Sequence, residues 1–270
     1  MRTFPQEIVD MVVDQLADSL WRFREPVNIS HYSTVSRQWL DRTQKHHFGS
    51  VHIRDQLGLG EWRTNIAPDP CGVSRHVREL SWWCVKTLEG FDDHIRAFTH
   101  VENIMLIGCH ILLWPSVVRS LAPLGSSLVS LRIDQATTTY DIVIPLLAAL
   151  PHLRHLCAHS LRVLGDCDVA GLPSRVPFFE DAGCLGLVLD GDAPGSLDWI
   201  PPSARFRELR IDVLSILDNS GRVKQWVASS AGTLRFLSIT EYPGGAHLDI
   251  FNSATFSDRV IFFQVLASPH

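Results

Sequence analysis

Seven times between residues 77 and 240 the chain repeats one small pattern, in which three apolar side chains occupy positions 1, 4 and 6 of a short segment. The anchors are Val77/Leu80/Trp82, Val101/Ile104/Leu106, Leu128/Leu131/Ile133, Leu153/Leu156/Ala158, Cys184/Leu187/Leu189, Phe206/Leu209/Ile211 and Leu234/Leu237/Ile239. Successive middle anchors stand 24, 27, 25, 31, 22 and 28 residues apart. A unit of this size has room for one strand and a return to the next, and it cannot bury its apolar face alone, so neighbouring units must stack. Between the anchors lie helical patterns at Leu88 to Phe98, Pro115 to Leu124, Asp141 to Leu150 and Arg222 to Ala231. Alternation of strand and helix at this period predicts parallel strands side by side with helices on the outer face. The stretch from Leu161 to Pro177 is richer in Gly and Pro and is expected to replace its helix with a loop.

The second unit, Val101-x-x-Ile104-x-Leu106-x-x-Cys109-x-Ile111, fits the full leucine-rich-repeat template including its Cys position, while the others keep the first half. Residues 76–240 are therefore read as a leucine-rich-repeat-like domain, and residues 241–270 as a tail or an incomplete terminal repeat. The apolar run Val260 to Leu266 reads as one more strand without a helix after it. A repeat stack needs a polar cap on its last unit, so this ending predicts either a truncated chain or a bare strand edge.

The first 53 residues have a different texture. Pro5 suits a first helical turn, where its missing N–H is not needed, and Gln6 and Glu7 suit the positive end of a helix dipole. Ile8, Val9, Val12, Val13 and Leu16 recur at helical spacing, predicting one amphipathic helix that ends near Ser19. A second helical pattern places Val35 and Trp39 four apart on one face, and Phe48, Val51 and Ile53 close the unit. So few residues bury little, which implies support from a partner or from the rest of the chain. Residues 54–75 carry Gly58, Gly60, Pro68, Pro70 and Gly72 and read as a connector.

Composition narrows the function. Twenty-four Lys plus Arg against 29 Asp plus Glu give a net charge of −5 without a long run of one sign, which argues against a nucleic-acid partner. Glu7, Asp10, Asp14 and Asp18 interrupt the most apolar N-terminal stretch, which fits neither a signal peptide nor a membrane span. The six cysteines are scattered without a C-x-x-C pair, as expected of reduced thiols in the cytoplasm or nucleus. His152, His155, Cys157 and His159 are the densest set of metal-ligand types. Alternate residues of one strand cannot enclose a tetrahedral ion, however, and no metal or other cofactor is expected. Asp190-Gly191-Asp192 reads as a turn and Asp92-Asp93-His94 as a helix surface. With no nucleophile elbow, phosphate loop or H-E-x-x-H, the chain is expected to be non-catalytic. An enzyme on an α/β scaffold would need a deep pocket joining His, Ser and Asp.

The motif Phe4-Pro5-Gln6-Glu7-Ile8-Val9-Asp10-Met11-Val12-Val13-Asp14-Gln15-Leu16 is followed by Ser33-Thr34-Val35-Ser36-Arg37-Gln38-Trp39-Leu40 and then His47-Phe48-Gly49-Ser50-Val51-His52-Ile53. In order and spacing it closely resembles the F-box, and its style is similar to fungal members of that family. Phe4 stands where Leu is usual, Tyr32 where Cys is common, and Thr34 where an apolar residue is common. The resemblance implies that this segment binds a Skp-type adaptor, which bridges to a cullin scaffold carrying the RING subunit and the charged ubiquitin-conjugating enzyme. By the motif match, Phe4, Pro5, Ile8, Val12, Val35 and Trp39 form that interface or its immediate support. F-box proteins commonly carry leucine-rich repeats after the box as a target-binding module. The expected fold is thus α/β, a short all-α F-box followed by a leucine-rich-repeat solenoid with a curved parallel sheet and outer helices. An alternative is a repeat module that binds a partner protein outside any ubiquitin ligase.

If the anchors at positions 4 and 6 point into the core, positions 3, 5 and 7 line the opposite face. That face contains Trp83, Met105, Ile107, Arg132, Asp134, His155, Arg210, Asp212 and Phe236, the candidate residues for binding a target protein. Trp83, Met105, Ile107 and Phe236 are apolar where a purely structural surface should be polar, and Arg132 and Arg210 suit acidic or phosphorylated groups.

Overall fold

Positions 4 and 6 of each unit lie two residues apart, the spacing at which a strand returns to the same face. A computed structural model describes residues 5–23, 35–53, 73–83, 95, 98–110, 114–164, 177–179, 186–190, 200–212, 220–240 and 262–265, and it has a strand at each of the seven anchor sites. The chain is mixed α/β. In chain order the strands are β1 (Ser50–Ile53), β2 (Glu79–Trp83), β3 (Asn103–Ile107), β4 (Ser130–Asp134), β5 (Thr137–Thr139), β6 (His155–His159), β7 (Arg162–Leu164), β8 (Gly186–Asp190), β9 (Glu208–Asp212), β10 (Phe236–Thr240) and β11 (Phe262–Val265). The helices are α1 (Gln6–Phe23), α2 (Arg37–Phe48), α3 (Trp114–Leu121), α4 (Tyr140–Ala148) and α5 (Ser220–Ser229).

Nine strands form one parallel sheet in the order β1-β2-β3-β4-β6-β8-β9-β10-β11. The register aligns equivalent anchors, with Leu80 opposite Ile104, Ile104 opposite Leu131, and Leu131 opposite Leu156. The alternation is visible in burial: Ile104 and Leu106 are buried while Asn103, Met105 and Ile107 are only half-buried. Parallel neighbours require a crossover, and α3, α4 and α5 supply it between β3 and β4, β5 and β6, and β9 and β10. Their buried residues, among them Trp114, Val117, Leu147 and Val223, join the strand anchors in one apolar core. Trp226 shows how closely a helix is fitted there. Its ring meets Phe206 edge-on at 6.0 Å, and its indole N–H donates to the Pro201 carbonyl at 3.0 Å, so the buried polar group is satisfied.

Several boundaries differ from the sequence expectation. Helix α1 continues to Phe23 rather than ending near Ser19, because nothing before Pro26 breaks a helix. Val35 does not share a helix face with Trp39, since Ser36 is the extended N-cap and α2 starts only at Arg37. The stretch beyond Leu161 is not entirely loop: β7 pairs in parallel with β5 to make a second, two-stranded sheet. The helix expected at Leu88 to Phe98 lies largely outside the described residues, although Ile95 and Phe98 are fully buried in the core. The 54–75 connector likewise lies outside them except for its end, which begins the 3-10 turn Val73–His76.

Strand β1 joins the N-terminal unit to the sheet. Its residues pair with β2 from Ser50 opposite Glu79 to Ile53 opposite Trp82, so the sheet starts before the connector. Gly49 makes the corner possible. A Cβ there would stand 2.8 Å from the Lys45 carbonyl oxygen, and the Gly49 carbonyl accepts from the N–H groups of Arg78 and Glu79, each at 2.9 Å.

Three successive strands leave the sheet through the same turn. Gly108 follows β3 with φ +68, while Gln135 follows β4 and Ser160 follows β6, both with φ 51. The left-handed residue turns the chain so that the next side chain, Cys109 or Ala136, drops into the core. Backbone bonds continue from unit to unit through this corner, as Gly108 N–H donates to the Asp134 carbonyl at 2.8 Å and Gln135 N–H to the His159 carbonyl at 2.9 Å.

Candidate protein-binding surfaces

Helix α1 divides its apolar residues between two faces. Val9, Val13 and Ala17 are buried in a small cluster against which Trp39 packs, whereas Ile8, Met11 and Val12 are 44%, 53% and 36% exposed. Val35 and Leu40 are exposed as well. Of the seven large hydrophobic residues exposed among the described residues, five fall between Ile8 and Leu40. Exposed apolar groups concentrated in one short segment make this a candidate interaction surface.

The sequence-derived interface residues take separate places in this unit. Phe4 lies outside the described residues. Pro5 is exposed and opens α1, its carbonyl accepting from Ile8 and Val9 N–H at 3.1 and 3.3 Å. Ile8, Val12 and Val35 are open to a partner, while Trp39 is half-buried and supports the unit from inside. Met11 and Leu40 were not singled out from the sequence, although both lie in the quoted motif. Helical spacing groups Met11 with Ile8 and was the available signal.

Polar contacts hold this surface in shape. Asp14 on α1 accepts from Arg42 Nε at 2.6 Å and also from Arg42 Nη2, and it lies 2.7 Å from His46 Nε2. The Arg42 guanidinium, aided by His46, outweighs partial burial and holds the Asp14 carboxyl down to about 2. On the other side of α2, Asp41 accepts from Arg75 Nη2 at 2.6 Å and lies 3.4 Å from His76 Nε2, tying α2 to the 3-10 turn before β2. Burial pushes the His76 imidazole below its ordinary value, against the pull of Asp41.

The second surface is the sheet face opposite the core. Trp83 is 46% exposed, Met105, Ile107, His155 and Phe236 are half-buried, and Arg132 and Arg210 are exposed. Asp212 pairs through its backbone with Thr240, but its side chain lies outside the described residues. Strand β1 adds Ser50 and His52, opposite Glu79 and Ser81, so the face is one strand wider than the repeat pattern implied. The signal was present in the alternation of Ser50 and His52 with Val51 and Ile53. Nine strands about 4.8 Å apart span about 38 Å, the scale of a protein epitope.

The charged groups on this face are differently committed. Arg132 Nη2 donates to Asp134 Oδ2 at 3.2 Å, and His159 Nε2 lies 3.8 Å from Asp134 Oδ1. Arg210 instead lies over the Phe236 ring, its guanidinium carbon 4.7 Å from the ring centroid. Among the described residues, no His, Cys, Asp and Glu side chains gather as a metal-binding set, and no helix is long and apolar enough to cross a membrane. No protein-family model matches the chain, and no curated protein matches it.

Proposed function

We propose that this chain is a substrate-recruiting subunit of a cullin-RING ubiquitin ligase, with an F-box at residues 1–53 and a leucine-rich-repeat solenoid after it. In this reading α1 and the segment around Val35 bind a Skp-type adaptor, and the sheet face holds a target protein in the cytoplasm or nucleus. The chain performs no chemistry itself and needs no cofactor, since its task is to hold the target near the charged conjugating enzyme. The observation that carries the reading is the exposure of Ile8, Met11, Val12, Val35 and Leu40, apolar residues left uncovered within the segment that resembles the F-box. Equivalent units in register, with buried residues of α3, α4 and α5 packed on the strand anchors, support the solenoid part.

Co-precipitation with a Skp-type adaptor tests this directly. Replacing Phe4 and Pro5 together with Ala should abolish adaptor capture while leaving the sheet folded. Met11→Asp places a charge on an exposed position, so it should do the same without threatening the fold. Adaptor capture unchanged in both variants would sink the F-box assignment.

A further inference from the structure

Arg132 and Arg210 occupy the same position of their respective strands, yet only one has its guanidinium tied to a carboxylate. Arg132 is held by Asp134, whereas no described carboxylate pairs with exposed Arg210. The Arg210 guanidinium lies over the Phe236 ring, its carbon 4.7 Å from the centroid, a contact that engages only part of a five-donor group and leaves N–H donors for an acceptor. At the other end of the face, Trp83 is exposed next to Ile107, its register partner on β3. From β2 to β9 is five strand steps, about 24 Å at about 4.8 Å each.

We propose that the sheet face takes an extended acidic segment of another protein, with one carboxylate on Arg210 and an apolar side chain against Trp83. The inference rests on the target-binding role assigned above to this face and adds the chemistry of the target. A carboxylate fits better than a phosphate. Glu208 is exposed on the same strand two residues before Arg210 and stands in register with Phe236, so it repels a dianion more strongly than a single negative charge. A guanidinium and a carboxylate meet through two parallel N–H···O bonds, and the Phe236 ring beside Arg210 limits where the guanidinium can stand. Extended chain advances about 3.3 Å per residue, so the two anchor residues of the ligand stand about seven positions apart.

The test is a random dodecapeptide phage library selected on the full chain, with affinities of the selected synthetic peptides read by fluorescence anisotropy. The expected peptides carry Asp or Glu and a large apolar residue about seven positions apart. Arg210→Glu should weaken them by about tenfold or more and Arg210→Lys by less, because Lys keeps the charge and loses the paired geometry. Trp83→Ala should weaken them without altering the preference for acid, and Phe236→Leu should reproduce part of the Arg210→Glu loss. Unaltered thermal melting of each variant guards against misfolding, and any variant that fails it is replaced in the comparison by Phe236→Leu or Arg210→Lys. Peptides without the acidic residue, affinities indifferent to Arg210, competition by inorganic phosphate, or a library that yields no binder would each overturn the inference. Adaptor capture by the same preparation separates the two ideas. If it persists while the peptide result fails, only the acidic-ligand inference falls; if it fails as well, the ligase reading falls with it.

Discussion

Gly108, Gln135 and Ser160 follow three neighbouring strands of the main sheet and share a left-handed backbone, so glycine exchanges among them should have opposite signs. A side chain in that region costs roughly 1–2 kcal/mol through its Cβ. Glycine removes the strain but adds roughly 0.5–1 kcal/mol of chain entropy to be lost on folding. The Gln135 side chain is exposed, and no hydrogen bond from it or from the Ser160 hydroxyl is among those described. Gln135→Gly and Ser160→Gly should therefore each stabilise by ~0.5–1 kcal/mol, the part of the strain that exceeds the entropy. Gly108→Ala runs the exchange backwards. A Cβ at Gly108 meets nothing within 4 Å, so the loss is a backbone effect alone, ~1 kcal/mol. Urea denaturation followed by circular dichroism measures all three, and ~1 kcal/mol corresponds to a melting shift of roughly 2–4 °C in a chain of this size. Destabilisation by Gln135→Gly and Ser160→Gly, or a neutral Gly108→Ala, would refute the shared left-handed corner.

Two further expectations concern the packing and the clamp between the first two helices. Leu131→Ala, fully buried between Ile104 and Leu156, should cost ~3 kcal/mol, whereas Arg132→Ala on the opposite face should cost under about 0.5 kcal/mol; equal losses in urea denaturation would contradict the assignment of faces. Asp14 has a folded value of about 2, below its ordinary 3.8, so its stabilisation is fully present above the unfolded value and is lost as pH falls toward 2. Because the Asp14 side chain is 37% exposed and screened by solvent, Asp14→Asn should cost only ~1 kcal/mol at neutral pH. The difference from the unaltered chain should close between pH 4 and 2 in thermal melts. A difference that persists to the acid end would mean that the Arg42 pair is not its source.

Spacing within each unit determined the strands. Leu80, Ile104, Leu131, Leu156, Leu187, Leu209 and Leu237 are each the second residue of a strand in one parallel sheet, because a two-residue period and a unit of about 26 residues leave few other ways to bury the same side of every segment. The fourth residue of each unit was thus legible without coordinates. So was the placing of Trp83, Arg132 and Arg210 on the face away from the core, which follows from alternation alone.

Tertiary structure decided what periodicity averages over. Ile8, Val9, Val12 and Val13 form one broad stripe in the sequence, but α2 with its Trp39 packs on one side of that stripe, so Val9 and Val13 are buried while Ile8 and Val12 remain open. Strand β1 belongs to the main sheet through hydrogen bonds to β2 across a segment too rich in Gly and Pro to carry a periodic signal. The parallel pair β5 and β7 exists because left-handed Gln135 and Ser160 turn successive strands through the same corner, and neither residue type announces that conformation. The unequal commitments of Arg132 and Arg210 likewise arise only once strands lie side by side. Asp134 is close to Arg132 along its own strand, whereas Phe236 reaches Arg210 from the neighbouring one, a contact made by the sheet register and absent from the linear order.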